Sequence, residues 1–203
     1  MKRQCKVDYK QLQQLRDNLG KLEKMDMEQF CNRMSKELAA RLLSLVIPLT
    51  PLGNYKIEVQ RTATRDTKYH KKGEVYTTRI NPTGKVGGTL RRGWTARTEA
   101  EAQQGSGSPQ ADEITEYANS LPIQKSGNKY TVTVINPVHY ASYVEFGHRQ
   151  QPGRYIPALG KSLKERWVKG RYMLTISEEK IRQKSPAWIA KELEKLLREA
   201  FNV

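Results

Sequence analysis

The chain has 203 residues, of which 37% are hydrophobic, a mean hydropathy of −0.76 and a net charge of +15. That describes one modest core with long exposed segments. No apolar run approaches the roughly 20 residues that span a bilayer, which excludes a membrane-spanning helix.

The N-terminus lacks the apolar stretch of a signal peptide, so the expected compartment is a reducing cytoplasm. Cys5 and Cys31 then read as free thiols, with a Cys5–Cys31 bridge as the alternative. Asp8 caps a first helix carrying Leu12, Leu15, Leu19 and Leu22 at helical spacing, and Gly20 weakens its end. Asp26 caps a longer one. Its Phe30, Met34, Leu38, Leu42, Leu45 and Val46 recur at steps of three and four until Pro48 and Pro51 stop it.

Residues 53–86 change character. Tyr55, Ile57 and Val59 alternate with polar residues, and Val75, Thr77 and Arg79 mark a second run. The polar, basic stretch from Thr64 to Gly73 lies between them, so a long hairpin with a charged tip is predicted. Asn81 to Gly84 and Gly87-Gly88 are turn chemistry. Thr89 to Thr98 read as a strand. Residues 100–113, rich in Gln, Gly, Ser and Pro, read as a flexible loop.

Lys129 to Ile135 is a half-buried strand with Tyr130, Val132 and Val134 on one face, ended by Asn136-Pro137. A short helical turn from His139 to Phe146 follows, and Gly147 closes it. Pro157 to Lys169 reads as a helix with Leu159, Leu163 and Trp167 on one side, terminated by Gly170. Ser177 starts another turn. Ser185-Pro186 starts the last helix, with Ile189, Leu193, Leu196, Leu197 and Ala200 buried and Glu194–Arg198 and Lys195–Glu199 pairing outside. Helices, strands and helices without regular alternation predict an α+β fold. The expected architecture over residues 1–203 is a single domain. In it a small antiparallel sheet packs against a long N-terminal helix and a C-terminal helix, with long inserted loops or a hairpin.

Chemistry is hard to find. His70, His139 and His148 have no metal-ligand spacing with one another or with a cysteine. His139 reads as packing at a turn and His148 as a polar loop residue. Neither cysteine has a visible histidine partner. The stretch from Gly84 to Thr89 lacks the spacing of a phosphate loop. No catalytic residue, cofactor or metal is expected, and an enzyme is the weakest reading. Charge is unevenly spread: +4 over residues 1–52, +8 over 53–97, −4 over 98–147 and +7 over 148–203. Arg61, Arg65, Lys68, Lys71 and Lys72 at the hairpin tip are candidates for nucleic-acid contact, with Tyr69 placed to stack on a base. The same residues equally suit a solvated loop or an arm that grips a protein neighbour.

Three segments carry a resemblance. Gly87, Gly88, Thr89, Leu90, Arg91, Arg92, Gly93 and Trp94 resemble the short turn-and-strand motif of head–tail joining, tail-component proteins of tailed bacteriophages. There the motif follows directly on a helix-ending proline segment such as Thr50-Pro51. The stretch from Val134 to Gly147 resembles that family's most recognisable segment, with Tyr140, Ala141, Tyr143, Val144, Glu145, Phe146 and Gly147 in the motif positions. Gly170 to Leu174 before an amphipathic helix is similar to the family's ending. The likeness covers roughly residues 26–52, 87–99 and 128–203. Residues 53–86 stand where such proteins have almost nothing, and residues 148–169 look like an added loop.

The resemblance implies a structural, non-enzymatic subunit made in the bacterial host cytoplasm. It implies a place in the virion at the head–tail junction, as a neck, tail-completion or tail-terminator protein. The implied partners are further copies in a homo-oligomeric, six-fold ring, the adjacent connector or stopper, and the tail tube or sheath. DNA would pass through without sequence readout, and no membrane is involved. A basic nucleic-acid-binding protein is the alternative. The aromatic residues of the middle motif are expected to fold back onto the sheet or the long helix as core.

Overall fold

The computed structural model describes residues 27–82, 84, 87–157 and 161–201, with the isolated positions 10, 13, 14, 16, 17 and 20. Those six positions are helical. Asp8, Leu12, Leu15, Leu19, Leu22, Asp26, Cys5 and Leu159 lie outside the described residues. Cys31 is a free thiol.

Helix α1 (Met27–Leu49) follows from the apolar stripe, which buries Phe30, Met34, Ala39, Leu43, Val46 and Ile47. Leu38, Leu42 and Leu45 are half-buried beside that stripe. Thr50 ends the helix from a fully buried position, its hydroxyl donating to the Val46 carbonyl at 2.7 Å.

The hairpin is present. Strands β1 (Ile57–Thr62) and β2 (Val75–Ile80) pair antiparallel, with Ile57 opposite Ile80 and Thr62 opposite Val75. Each strand's main packing partner is the other. At its base the two ends of the arm meet: a Cβ on Gly87 would lie 2.2 Å from the Gly53 carbonyl oxygen.

The predicted strand from Thr89 to Thr98 is instead the one-turn helix α2 (Thr89–Arg92), followed by turns. Its β-prone residues lose to tertiary closure. Gly88, at φ +103°, starts the turn in a left-handed conformation, and Arg91 and Arg92 bond carbonyls from other segments rather than a ladder. Residues 100–113 are likewise not one loop. Helix α3 (Glu99–Gln103) begins under the Thr98 cap. Helix α4 (Ala111–Ser120) begins with a reciprocal Gln110–Glu113 capping box, leaving 104–110 irregular.

Strands β3 (Ile123–Ser126) and β4 (Lys129–Val132) form a second hairpin around Gly127 at φ +59°. The ladder stops at Val132, although alternating burial continues through Val134. Helix α5 (Ala141–Phe146) is the expected short helix. The predicted helix from Pro157 to Lys169 contains two short strands instead, with residues 163–166 irregular between them. Strand β6 (Tyr155–Ile156) pairs with β7 (Lys161–Ser162), and β5 (Gly147–Arg149) pairs with β8 (Trp167–Lys169). Backbone pairing with Gly147–Arg149 outweighs a helical apolar spacing that rests on three residues.

The last helix also starts earlier than predicted. Helix α6 (Met173–Phe201) is continuous, and Pro186 sits inside it. The proline leaves the Arg182 carbonyl without its helical donor, but Arg182 and Pro186 both face solvent, where water replaces the bond.

The fold is α+β as expected, with its β structure divided among four two-stranded antiparallel ladders in the described residues. One face of α1 packs against α4, β4 and α6. The core gathers Leu43, Val46, Ile47, Leu90, Trp94, Ile114, Ala118, Val138 and Met173 from five segments.

Candidate functional site

The first motif is a knot of backbone contacts. The Trp94 indole N–H donates to the Thr50 hydroxyl at 2.8 Å inside the core, tying α2 to the end of α1. Arg91 reaches the same place: its Nε donates to the Thr50 carbonyl at 2.6 Å and one terminal nitrogen to the Pro48 carbonyl at 3.3 Å. A cation on the last carbonyls of a helix complements its dipole. Arg92 holds the carbonyls of Ala102, Gly87 and Gly107 at 3.0, 3.2 and 3.1 Å. Gly93 leaves room for Asn136, whose amide nitrogen donates to the Leu90 carbonyl at 2.9 Å. Gly88, Leu90, Arg91 and Trp94 therefore sit together in one knot of hydrogen bonds and core packing at the end of α1.

The second motif clamps the C-terminal helix. Glu145 is only 5% exposed. Its carboxylate accepts the backbone N–H of Leu174 and of Thr175, each at 3.0 Å, and the Thr175 hydroxyl at 2.8 Å. These amides belong to the first turn of α6, where unsatisfied donors and the helix dipole favour an anion. The residue before α6 is Tyr172, at φ +52°, which has no short capping side chain, so the cap arrives from another helix. The Glu145 carbonyl accepts the Tyr172 N–H at 3.0 Å, and the Val144 carbonyl accepts the Arg171 N–H at 2.8 Å. Gly147, at φ +84°, ends α5; a Cβ there would sit 2.4 Å from the Val168 carbonyl oxygen.

The aromatic residues of this motif divide. Tyr140 and Val144 pack against the core. Tyr143 and Phe146 do not fold back as expected; they are 57% and 60% exposed. The Glu145 clamp fixes the phase of α5, and residues one position either side of the buried Glu145 and half-buried Val144 must point outward. Trp167, half exposed, lies beside Gly147, and Tyr172 and Ile176 are also exposed at the start of α6. One junction thus presents a cluster of exposed apolar and aromatic side chains.

The hairpin tip is the third feature. Arg61, Arg65, Lys68, Lys71 and Lys72 are all exposed there. Ala63 is buried, and the His70 ring stacks on Tyr76 at 4.1 Å. The acids of the tip, though exposed, accept its backbone N–H groups. Asp66 accepts the Lys72 N–H at 2.7 Å and Glu74 the Lys71 N–H at 2.9 Å. The Lys71 amide and then the His70 ring hold the Glu74 pKa below the usual carboxylate value. Among the described residues none of the five cations has an ion-pair partner. Arg61, Arg65, His70 and Tyr76 line a cavity of about 490 Å³.

Two histidines depart from their sequence readings. His139 is an exposed partner of Glu99, ring nitrogen to carboxylate 2.7 Å, and holds the Glu99 pKa below its ordinary value. His148 lies in β5, not in a loop, edge-on to Tyr143 at 5.9 Å. Among the described residues no group of His, Cys, Asp and Glu side chains is arranged to hold a metal ion, and no helix is long and apolar enough to cross a membrane.

No curated protein and no solved structure matches the chain. A family model matches residues 13–147, more than half of the chain, taking in α1, the arm, the arginine knot and the aromatic motif. Its description is "Bacteriophage HK97-gp10, putative tail-component", and the chain belongs to this HK97-gp10-like family.

Proposed function

We propose that the protein is a structural, non-enzymatic subunit of the virion. It forms a ring at the head–tail junction, as a neck, tail-completion or tail-terminator protein, joining the connector or stopper to the tail tube or sheath around the DNA channel. The observation that carries this reading is the exposed aromatic cluster at Tyr143, Phe146 and Trp167. Large aromatic side chains held outward by a buried helix cap are a rigid, low-entropy contact surface. A ring needs two different patches per subunit, one meeting the other on the next copy. The aromatic cluster supplies one, and a six-fold ring is the expected closure. DNA then passes through the lumen without base contacts.

Electron microscopy of the purified protein, alone and with tail tube, tests this directly. Closed rings are expected, and a strictly monomeric particle under all assembly conditions overturns it. Phe146→Ala with Tyr143→Ala should block assembly while leaving the fold intact, since both side chains are exposed. The unpaired cations of the hairpin tip favour a second reading, direct binding of DNA. It predicts submicromolar affinity that falls steeply with salt, and absence of binding at about 50 mM salt excludes it.

A further inference from the structure

We propose that the basic arm, residues 53–86, docks into the acidic cleft between α3 and α4 of a neighbouring copy of this chain. This rests on the reading of the protein as a self-assembling subunit.

The arm carries eight basic and three acidic side chains, a surplus of +5. Residues 99–120 carry five acidic side chains and no Lys or Arg, a deficit of −5. Glu101, Glu113, Glu116, Tyr117 and Arg97 line an open cleft of about 480 Å³ there. Among the described residues Asp112 and Glu116 have no ion pair, and none of the arm's described cations meets a carboxylate of 99–120. Two surfaces of opposite charge are therefore both open in a single copy. Opposed potentials of this kind steer association and fix register.

The shape of the arm favours a protein over phosphate as its occupant. Opposed residues of an antiparallel pair share a face, so Ile57, Val59, Tyr76 and Ile80 line one side of the ribbon. On that face, which also carries Arg61 and Thr78, Ile57 remains 50% exposed; Val75 on the opposite face is 62% exposed and Tyr69 in the tip 78%. Exposed apolar side chains gain nothing from a phosphate backbone but are buried by a protein surface. An isolated two-stranded hairpin is also marginal in water and gains from docking. Six paired residues reach about 20 Å, far enough to cross a subunit boundary.

Zero-length carbodiimide crosslinking on an equal mixture of isotope-labelled and unlabelled full-length chains tests the contact, alongside electron microscopy of the same sample. Mixed-isotope crosslinks joining Lys68, Lys71 or Lys72 to Asp112, Glu113 or Glu116 are expected. Lys71→Glu with Lys72→Glu should abolish them and weaken self-association about tenfold or more, as should Glu113→Lys with Glu116→Lys. Combining the two reversals in one chain should restore association. Rings without these crosslinks overturn the arm contact and leave the ring reading standing. Crosslinks without rings do the reverse. If the arm variant assembles normally but loses binding to double-stranded DNA, the arm is a phosphate contact and the proposal fails.

Discussion

Replacing Glu145 by alanine removes the side-chain cap of α6. Two backbone N–H groups and one hydroxyl lose an ionised acceptor at 3.0, 3.0 and 2.8 Å in a site that is 5% exposed. A hydrogen bond to a charged group contributes about 1.5–3 kcal/mol, and loss of a helix N-cap costs about 0.5–2 kcal/mol. These overlap, because they describe the same contacts, so a total of about 2–4 kcal/mol is expected. At about 2–4 °C per kcal/mol for a chain of this size, the thermal midpoint should fall by about 4–16 °C. Glu145→Gln keeps an acceptor and the shape but loses the charge, and should fall about half as far. Thermal unfolding at neutral pH followed by circular dichroism, with denaturant midpoints as a check, reads both. A Glu145→Ala midpoint within about 1 °C of the parent, or a glutamine variant as damaged as alanine, would refute the reasoning.

Trp94→Phe should cost about 1–3 kcal/mol in a denaturant titration, since it strips the buried Thr50 hydroxyl of its donor while filling most of the same volume. Gly147→Ala places a methyl 2.4 Å from the Val168 carbonyl at φ +84°, so expression should yield little folded protein, whereas Gly105→Ala, at φ +79° with open space around it, should remain folded. Glu99 titrates below the ordinary carboxylate value because its folded form accepts bonds from the His139 ring and amide. Its stabilising contribution is therefore present above the unfolded pKa and is lost as pH falls through the folded one. An NMR titration of the Glu99 carboxyl should show that depressed midpoint in the parent and a rise toward the ordinary value in His139→Ala, which removes the ring but keeps the amide.

Local signals were legible where local physics decides the structure. The steps of three and four from Phe30 to Val46 gave α1, and the alternation at Ile57 and Val75 gave the arm with its cationic tip. Reading failed where distant groups decide. Leu90 and Trp94 look like strand residues, but arginine bonds to Thr50 and Ala102 fold their segment into a turn. The Gly and Ser of residues 104–110 hid α4, although Gln110 with Glu113, and Ile114 with Ala118 at helical spacing, were its available signals. The exposure of Tyr143 and Phe146 depends on where Glu145 points, and its bonds lie 29 and 30 residues downstream. One hint was present: Arg171, Tyr172 and Met173 offer no capping side chain for the helix they begin. The paired carboxylates turned onto Lys71 and Lys72 amides were equally invisible, and they are why the tip shows its cations outward.

The meeting of Gly53 with Gly87 makes the arm a graft on a finished frame. The chain departs and returns through one narrow stem, so lengthening, trimming or exchanging the ribbon leaves the arginine knot and the helix clamp untouched. A lineage carrying this stem can change what its subunit reaches for without refolding the subunit itself.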